Sequence, residues 1–258
     1  MEETNLKWRV LSASVPGSSH LRCGLECQDV NAVSVLSDGT LIVVVSDGAG
    51  SAKRAADGAA LVAQSCVAHL EQHVEQSAPA DSDGWKCLLV DCIEHARTAA
   101  FEFASRQTEA GNPTEYVDLA TTVLIVVVTG AWVAAAQVGD GAIVSRSASG
   151  SLSVLTVQGD SEYINETTFI TSSDYLAHAH FHVDERADIT GVAAFSDGMQ
   201  FLALKYADNT AHAPFFDPLL VFAARPDSSL SDLEEFLRSE RVCGRTDDDK
   251  TLVLAVRL

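Results

Sequence analysis

The sequence predicts an antiparallel α+β sandwich, and three observations lead there. Strand-length apolar runs follow one another through short turns instead of alternating with helices. Two stretches with helical apolar spacing sit in tandem after the third such run, and further helical segments gather near the C-terminal end. Of the 258 residues, 47% are hydrophobic, with no long stretch biased to one polar type, so a sizeable core is expected. Strands and helices kept in separate runs give antiparallel sheets with helices packed on them, not a parallel βαβ fold. No internal boundary is marked, which predicts a single domain over residues 1–258.

Trp8–Val15 and Val30–Leu36 read as strands. Ser37-Asp38-Gly39-Thr40 joins the second to Leu41–Val45, and Asp-Gly between apolar runs signals a hairpin. From Ala59 the period changes: Ala59, Val62, Ala63, Cys66, Leu70 and Val74 form one helical stripe. After a polar loop with Pro79, Leu89, Cys92, Ile93, Ala96, Ala100 and Phe103 form another, so an antiparallel helix pair is expected. Leu119–Val128, Trp132–Val138, Ala142–Arg146 and Leu152–Val157 read as consecutive strands of a meander. The stretch from 159 to 188, rich in Thr, Ser, Asp and His, reads as an inserted loop or lid. Gly191–Phe195 returns to the core as a strand. Helical segments follow near Met199–Leu204, Pro218–Ala224 and Leu230–Arg241, before the strand Thr251–Val256.

Charge narrows the function classes. The chain carries 17 basic and 36 acidic residues, a net charge of −19. A nucleic-acid backbone and an anionic membrane both call for clustered Lys and Arg, so neither is an expected partner. The first residues lack a basic start followed by an apolar run, and no apolar stretch approaches bilayer length, which points to a cytoplasmic location. None of the six cysteines forms a Cys-x-x-Cys pair. Cys66, Cys87 and Cys92 fall on the helical segments, where a reduced thiol packs as a small hydrophobe.

The informative feature is a recurrence. Leu41–Val45 runs into Ser46-Asp47-Gly48, and Gly191–Phe195 runs into Ser196-Asp197-Gly198, each followed by helix-forming sequence. Gln137-Val138-Gly139-Asp140-Gly141 is a third strand end with Asp-Gly, and Asp247-Asp248-Asp249 precedes the last strand. One Asp-Gly is an ordinary turn, as at Asp38-Gly39 and Asp83-Gly84. Several at the ends of core strands can be aimed at one point by two packed sheets. Carboxylates that close repel unless protonated or bridged by cations, and hard oxygen donors suit Mg²⁺ or Mn²⁺.

The ordered set Cys27-Gln28-Asp29, Ser46-Asp47-Gly48, Ala120-Thr121-Thr122, Val138-Gly139-Asp140, Ser196-Asp197-Gly198 and Asp248-Asp249-Lys250-Thr251 resembles the motif series of type 2C metal-dependent protein Ser/Thr phosphatases. The motifs keep that family's order from the N-terminal region to the last strand. The segment Gly159–Phe169 is similar to a bacterial subgroup of it. The resemblance implies a four-layer α-β-β-α sandwich with two central antiparallel sheets flanked by helix pairs. It implies Mn²⁺ or Mg²⁺, two per active site with a third, weaker ion. By the same resemblance Asp47 bridges both metals, the Gly48 carbonyl adds a ligand, and Asp197 and Asp248 complete the first metal. Asp140 would share the third metal with Asp197, and Asp29 with Gln28 would support the second through water. The implied catalytic set is Asp47, Asp197 and Asp248. The implied reaction is hydrolysis of phosphoserine and phosphothreonine in proteins by a metal-bridging water, in opposition to a Ser/Thr kinase.

The sequence departs from the family pattern in places. Gln28 is neutral where many relatives carry Glu, and Ala49 stands where some carry a histidine acid. The family's phosphate-binding arginine would fall on Gly24, leaving Arg22 as the nearest candidate, with His20 close by. These departures keep open a different class of function, a non-catalytic binding or regulatory module of the same fold. His69 and His73 lie one helical turn apart and read as a solvated helix face, because Glu71 is misplaced for a His-Glu-x-x-His zinc site. His178, His180 and His182 alternate and read as part of the exposed loop.

Overall fold

A computed structural model describes residues 7–157, 167–186, 188–205 and 207–258. Two five-stranded antiparallel sheets form its centre. The first contains β1 (Trp8–Val15), β6 (Ala142–Ser147), β7 (Leu152–Val157), β9 (Ile189–Phe195) and β10 (Lys250–Arg257), in the order β1-β10-β9-β6-β7. The second contains β2 (Asp29–Val35), β3 (Leu41–Asp47), β4 (Val123–Val128), β5 (Trp132–Val138) and β8 (His180–Glu185), in the order β2-β3-β4-β5-β8.

The apolar runs of β3 and β4 are uninterrupted because each strand is covered on both faces. Along β3, Ile42 and Val44 face α2 (Ala55–Ser77) and α3 (Ser82–Glu109), in one buried cluster with Val62, Leu70, Leu89 and Ile93. Leu41, Val43 and Val45 point the other way and meet Val253 and Ala255 of β10. The opposite face of β10, through Leu252 and Leu254, packs on Phe216 and Leu220 of α5 (Ala213–Ala224) and on Leu233 and Leu237 of α6 (Leu230–Arg238). The layers are therefore helices, sheet, sheet, helices, as the motif resemblance implies. Local chemistry starts the helices where it can: the Asp81 carboxylate accepts from the Gly84 N–H at the head of α3, and Ser229 with Asp232 forms a capping box on α6.

Three expectations need correction. Residues 119–157 are not one meander: β4 and β5 pair in the second sheet, β6 and β7 in the first, and the chain changes sheet at Gly139-Asp140-Gly141. The alternating pattern predicts strands correctly but carries no information about which sheet each joins. The stretch read as a lid is in part a strand. Residues 159–166 and 187 lie outside the described residues, while His180–Glu185 pairs with β5 from Gln137↔His180 to Trp132↔Glu185 and forms an edge of the second sheet. Its polar residues mark an edge and not a loop. Cys66 and Cys92 are buried as expected, but Cys87 is exposed on the outer side of α3.

Smaller differences concern helix ends. A short α1 (Ser18–Cys23) had no periodic signal. The segment after residue 199 is only α4 (Gln200–Ala203), α5 begins at Ala213 with Pro214 in its first turn, and α7 (Glu240–Cys243) is separate from α6. No helix among the described residues is long and apolar enough to cross a membrane.

Candidate active site

Both Ser-Asp-Gly sequences end central strands at the same edge of the sandwich. Asp47 closes β3, and Asp197 follows β9 and opens a 3₁₀ turn, 197–199. Asp140 sits at the corner where the chain crosses between sheets. One carboxylate oxygen from each of Asp47, Asp140 and Asp197 lies within 4.8 Å of the other two. They line a cleft of about 180 Å³, together with Gly48, Asp248 and Gln28. No Lys or Arg lines it among the described residues.

Hydrogen bonds from distant segments hold each aspartate in place. The Thr122 N–H and the Thr121 hydroxyl both donate to the Asp47 carbonyl, at 2.8 and 2.7 Å, and the Asp47 N–H donates to Thr122 Oγ1 at 3.1 Å. The serines of the two motifs act as staples. Ser46 Oγ donates to the Thr122 carbonyl at 2.7 Å, while Ser196 Oγ donates to Asp29 Oδ2 at 2.6 Å and accepts from the Thr251 N–H at 3.0 Å. At the corner, Gly139 and Gly141 have φ of 94° and 90°, and Gln137 Nε2 donates to both of their carbonyls. Such angles favour glycine, and a Cβ at Gly141 would lie 2.6 Å from the Phe195 carbonyl oxygen. Gly198 is required for a different reason: a Cβ there would sit 2.0 Å from the Asp249 carbonyl oxygen.

Asp29 opens β2 directly opposite Asp47 in the ladder and is buried. The two residues of the closing Asp-Asp pair divide. Asp248 is exposed toward the cleft, whereas Asp249 is buried and fully engaged. Asp249 Oδ1 accepts from the Gly17 N–H at 2.6 Å, and Oδ2 accepts from the Gln28 N–H at 2.6 Å and from His20 Nδ1 at 2.9 Å. His20 in turn lines the cleft. Asp249 and His20 are site-building residues that motif reasoning passed over or only noted in passing. The sole signal for Asp249 was its position beside Asp248. Thr167, whose hydroxyl donates to Asp140 Oδ2 at 2.9 Å, and Phe169 also line the cleft. Arg22 does not: its side chain is 67% exposed, 3.4 Å from Asp247.

Crowding and burial dominate the electrostatics. Burial lifts Asp47 well above the usual carboxylate range, and Asp29, Asp197 and Asp140 add to it. Asp29 is pushed up to about 7, chiefly by burial, against the stabilising hydrogen bond from Ser196. Asp197 rises to about 6 through burial and then the charges of Asp140 and Asp248, and Asp140 is raised by burial. Protein groups alone leave this cluster short of positive charge. Asp29 Oδ1 and Asp197 Oδ1 are buried with no hydrogen-bond partner, as is Gln28 Oε1. An all-oxygen donor set with orphaned buried oxygens, lined by no Lys or Arg among the described residues, fits hard divalent ions such as Mn²⁺ or Mg²⁺.

Known proteins agree with this fold. A sequence profile described as Protein phosphatase 2C matches residues 16–238. Serine/threonine-protein phosphatase 3 of Escherichia coli (strain K12) is 35% identical over 264 residues, covering 97% of this chain and 99% of that protein. Among solved structures, a bacterial serine phosphatase superposes with a TM-score of 0.65 at 15% identity, over 97% of this chain and 98% of the other. RsbX in complex with magnesium superposes with a TM-score of 0.55 at 14% identity, over 98% of both chains. The convergence of strand-end aspartates and the match over most of the sequence lead to one conclusion: the chain belongs to the protein phosphatase 2C family of protein serine/threonine phosphatases.

Proposed function

We propose that this protein hydrolyses phosphoserine and phosphothreonine monoesters in proteins, using two Mn²⁺ or Mg²⁺ ions held at the aspartate cleft, and so opposes a Ser/Thr kinase. The observation that carries this reading is the convergence of Asp47, Asp140 and Asp197 from two sheets on one cleft that offers no Lys or Arg among the described residues. Asp47, Asp197, Asp248 and the Gly48 carbonyl would hold the two main cations. Asp140 would serve a third with Asp197, and Asp29 would support Asp47 from behind. When bound, such cations supply an acidified water as nucleophile and neutralise the phosphoryl oxygens. The net reaction breaks the ester P–O bond and releases phosphate and a free hydroxyl.

The chain's own groups do the rest. Asp29 and Ser196 keep Asp47 and Asp197 in register across the two sheets. Asp249 accepts from His20 Nδ1–H and fixes the ring, so that the imidazolium form of His20 can pass its Nε2 proton to the departing serine or threonine oxygen. With Ala49 unable to act as an acid, His20 fills that role. Arg22, tethered to Asp247 at the rim, is the candidate to meet the phosphoprotein there. A non-catalytic scaffold has no need for four carboxylates around one cleft, so the binding-module reading is the weaker one.

Phosphate release from a phosphothreonine peptide with Mn²⁺ tests the proposal. The unmodified protein is expected to release phosphate, and Asp47→Asn to lose at least about 100-fold of that rate, since a carboxylate that would hold the cations is gone. No release by the folded, Mn²⁺-supplied protein on several phosphopeptides would leave the binding module standing.

A further inference from the structure

A second group of metal-ligand side chains lies on the helical layer, and none of its members lines the aspartate cleft. α2 presents His69 and His73 one turn apart, and the neighbouring α3 presents Asp91 and His95 one turn apart. Their spacing alone predicts that His69 and His73 lie on a solvated face. Instead, His69 is 8% exposed, wedged between the two helices, while His73 is half-buried.

Ligand atoms from His69, His73 and Asp91 all lie within 4.8 Å of one another. A tetrahedral ion with ligands about 2.0–2.2 Å away would collect them once one of the two stacked imidazoles turns its in-plane lone pair toward the others. His69 Nε2 lies 2.9 Å from Asp91 Oδ2 but lacks the alignment of a hydrogen bond, and it is buried without another partner. His73 Nδ1 donates to the His69 carbonyl at 2.8 Å, which leaves its Nε2 as the lone-pair nitrogen. Fixing the tautomer through the other ring nitrogen is how metal-binding histidines are usually oriented. The His69 ring stacks on His73 at 4.0 Å and lies 4.7 Å from the exposed His95, so a third imidazole stands beside the group as a candidate fourth ligand. Burial first, then the neighbouring His73 and His95, hold His69 below the ordinary histidine value, in the neutral form that binds metal.

We propose that His69, His73 and Asp91, with His95 or a water completing the shell, bind one zinc-class divalent cation that clips α2 to α3. Imidazole nitrogens favour Zn²⁺, Co²⁺ or Ni²⁺ over the Mg²⁺ and Mn²⁺ suited to the cleft. The site is independent of the phosphatase chemistry.

The test uses the full chain, stripped of metal and then held in excess Mg²⁺ to occupy the all-oxygen cleft. Zn²⁺ is titrated by calorimetry and Co²⁺ by its visible d–d absorption. One tight equivalent of Zn²⁺ and a tetrahedral Co²⁺ spectrum are expected. His73→Gln and Asp91→Asn, both on side chains with solvent access, should each weaken Zn²⁺ by at least about tenfold. Both should keep wild-type Mn²⁺-dependent phosphate release, and Asp47→Asn should keep the Zn²⁺ site. Absence of Zn²⁺ binding would overturn the proposal. So would binding that both helix variants retain, or binding that disappears only in Asp47→Asn.

Discussion

Asp248 and Asp249 are adjacent and chemically identical, yet the fold gives them opposite tasks. Asp248 offers its carboxylate to the cleft, and Asp249 spends its own on three donors from the segment between β1 and β2. Asp248→Asn is therefore expected to weaken Mn²⁺ binding in calorimetry while leaving the urea midpoint nearly unchanged. Asp249→Ala should cost roughly 3 kcal/mol of stability in urea unfolding, because it strands buried donors. A negligible change in midpoint would show that Asp249 is not a structural tie. His20→Asn is expected to slow a phosphothreonine peptide by about 100-fold but p-nitrophenyl phosphate by no more than about threefold, since a nitrophenolate leaves without a proton. Equal losses on both substrates would remove His20 from the proton-donor role. Asp47, Asp140 and Asp197 of the cleft were legible because each ends an apolar run with Asp-Gly, and Asp248 because it stands in an Asp run before the last strand. The Asp249–His20 contact was not, because its partners are 229 positions apart and neither carries a local pattern.

At the scale of elements, the corner between β5 and β6 is what brings Asp140 to the cleft shared by both sheets. Two glycines in left-handed conformation and the Gln137 clamp let the chain leave one sheet and enter the other while aiming Asp140 at the cleft. Gly141→Ala should destabilise the protein by about 2–3 kcal/mol, through backbone strain and the clash with the Phe195 carbonyl, and should weaken Mn²⁺ as Asp140 shifts. Thermal melts with and without Mn²⁺ read both effects; an unchanged melting temperature in each condition would contradict the argument. The central strands and the α2–α3 pair could be read from sequence because double-sided burial and helical stripes leave strong periodic signals. β8 could not: as an edge strand it carries His180, His182 and Asp184 in alternation, a pattern shared with loops. The switch of sheet at Asp140 is equally silent, since pairing partners are not written in a strand's own pattern.

Across the whole molecule, buried acidity links stability to metal. Asp29 near 7 and Asp197 near 6 are raised in the folded state, so their neutral forms favour folding. In the metal-free protein that contribution is present at low pH and is lost as pH rises through about 6–7. Bound cations select the ionised carboxylates, so the rise in melting temperature on adding Mn²⁺ should be small near pH ~5 and large near pH ~8. Equal rises at both would refute the linkage. The order of the first sheet has a separate consequence. β10 is the last strand in the sequence but lies between β1 and β9, pairing with both. Until those residues arrive, two bare strand edges stay open, and closing them joins opposite ends of the chain. Such topology folds slowly and leaves sticky intermediates. Lesions in β10 should therefore show first as chaperone demand and insoluble product in the cell, before any purified enzyme could be found to be slow.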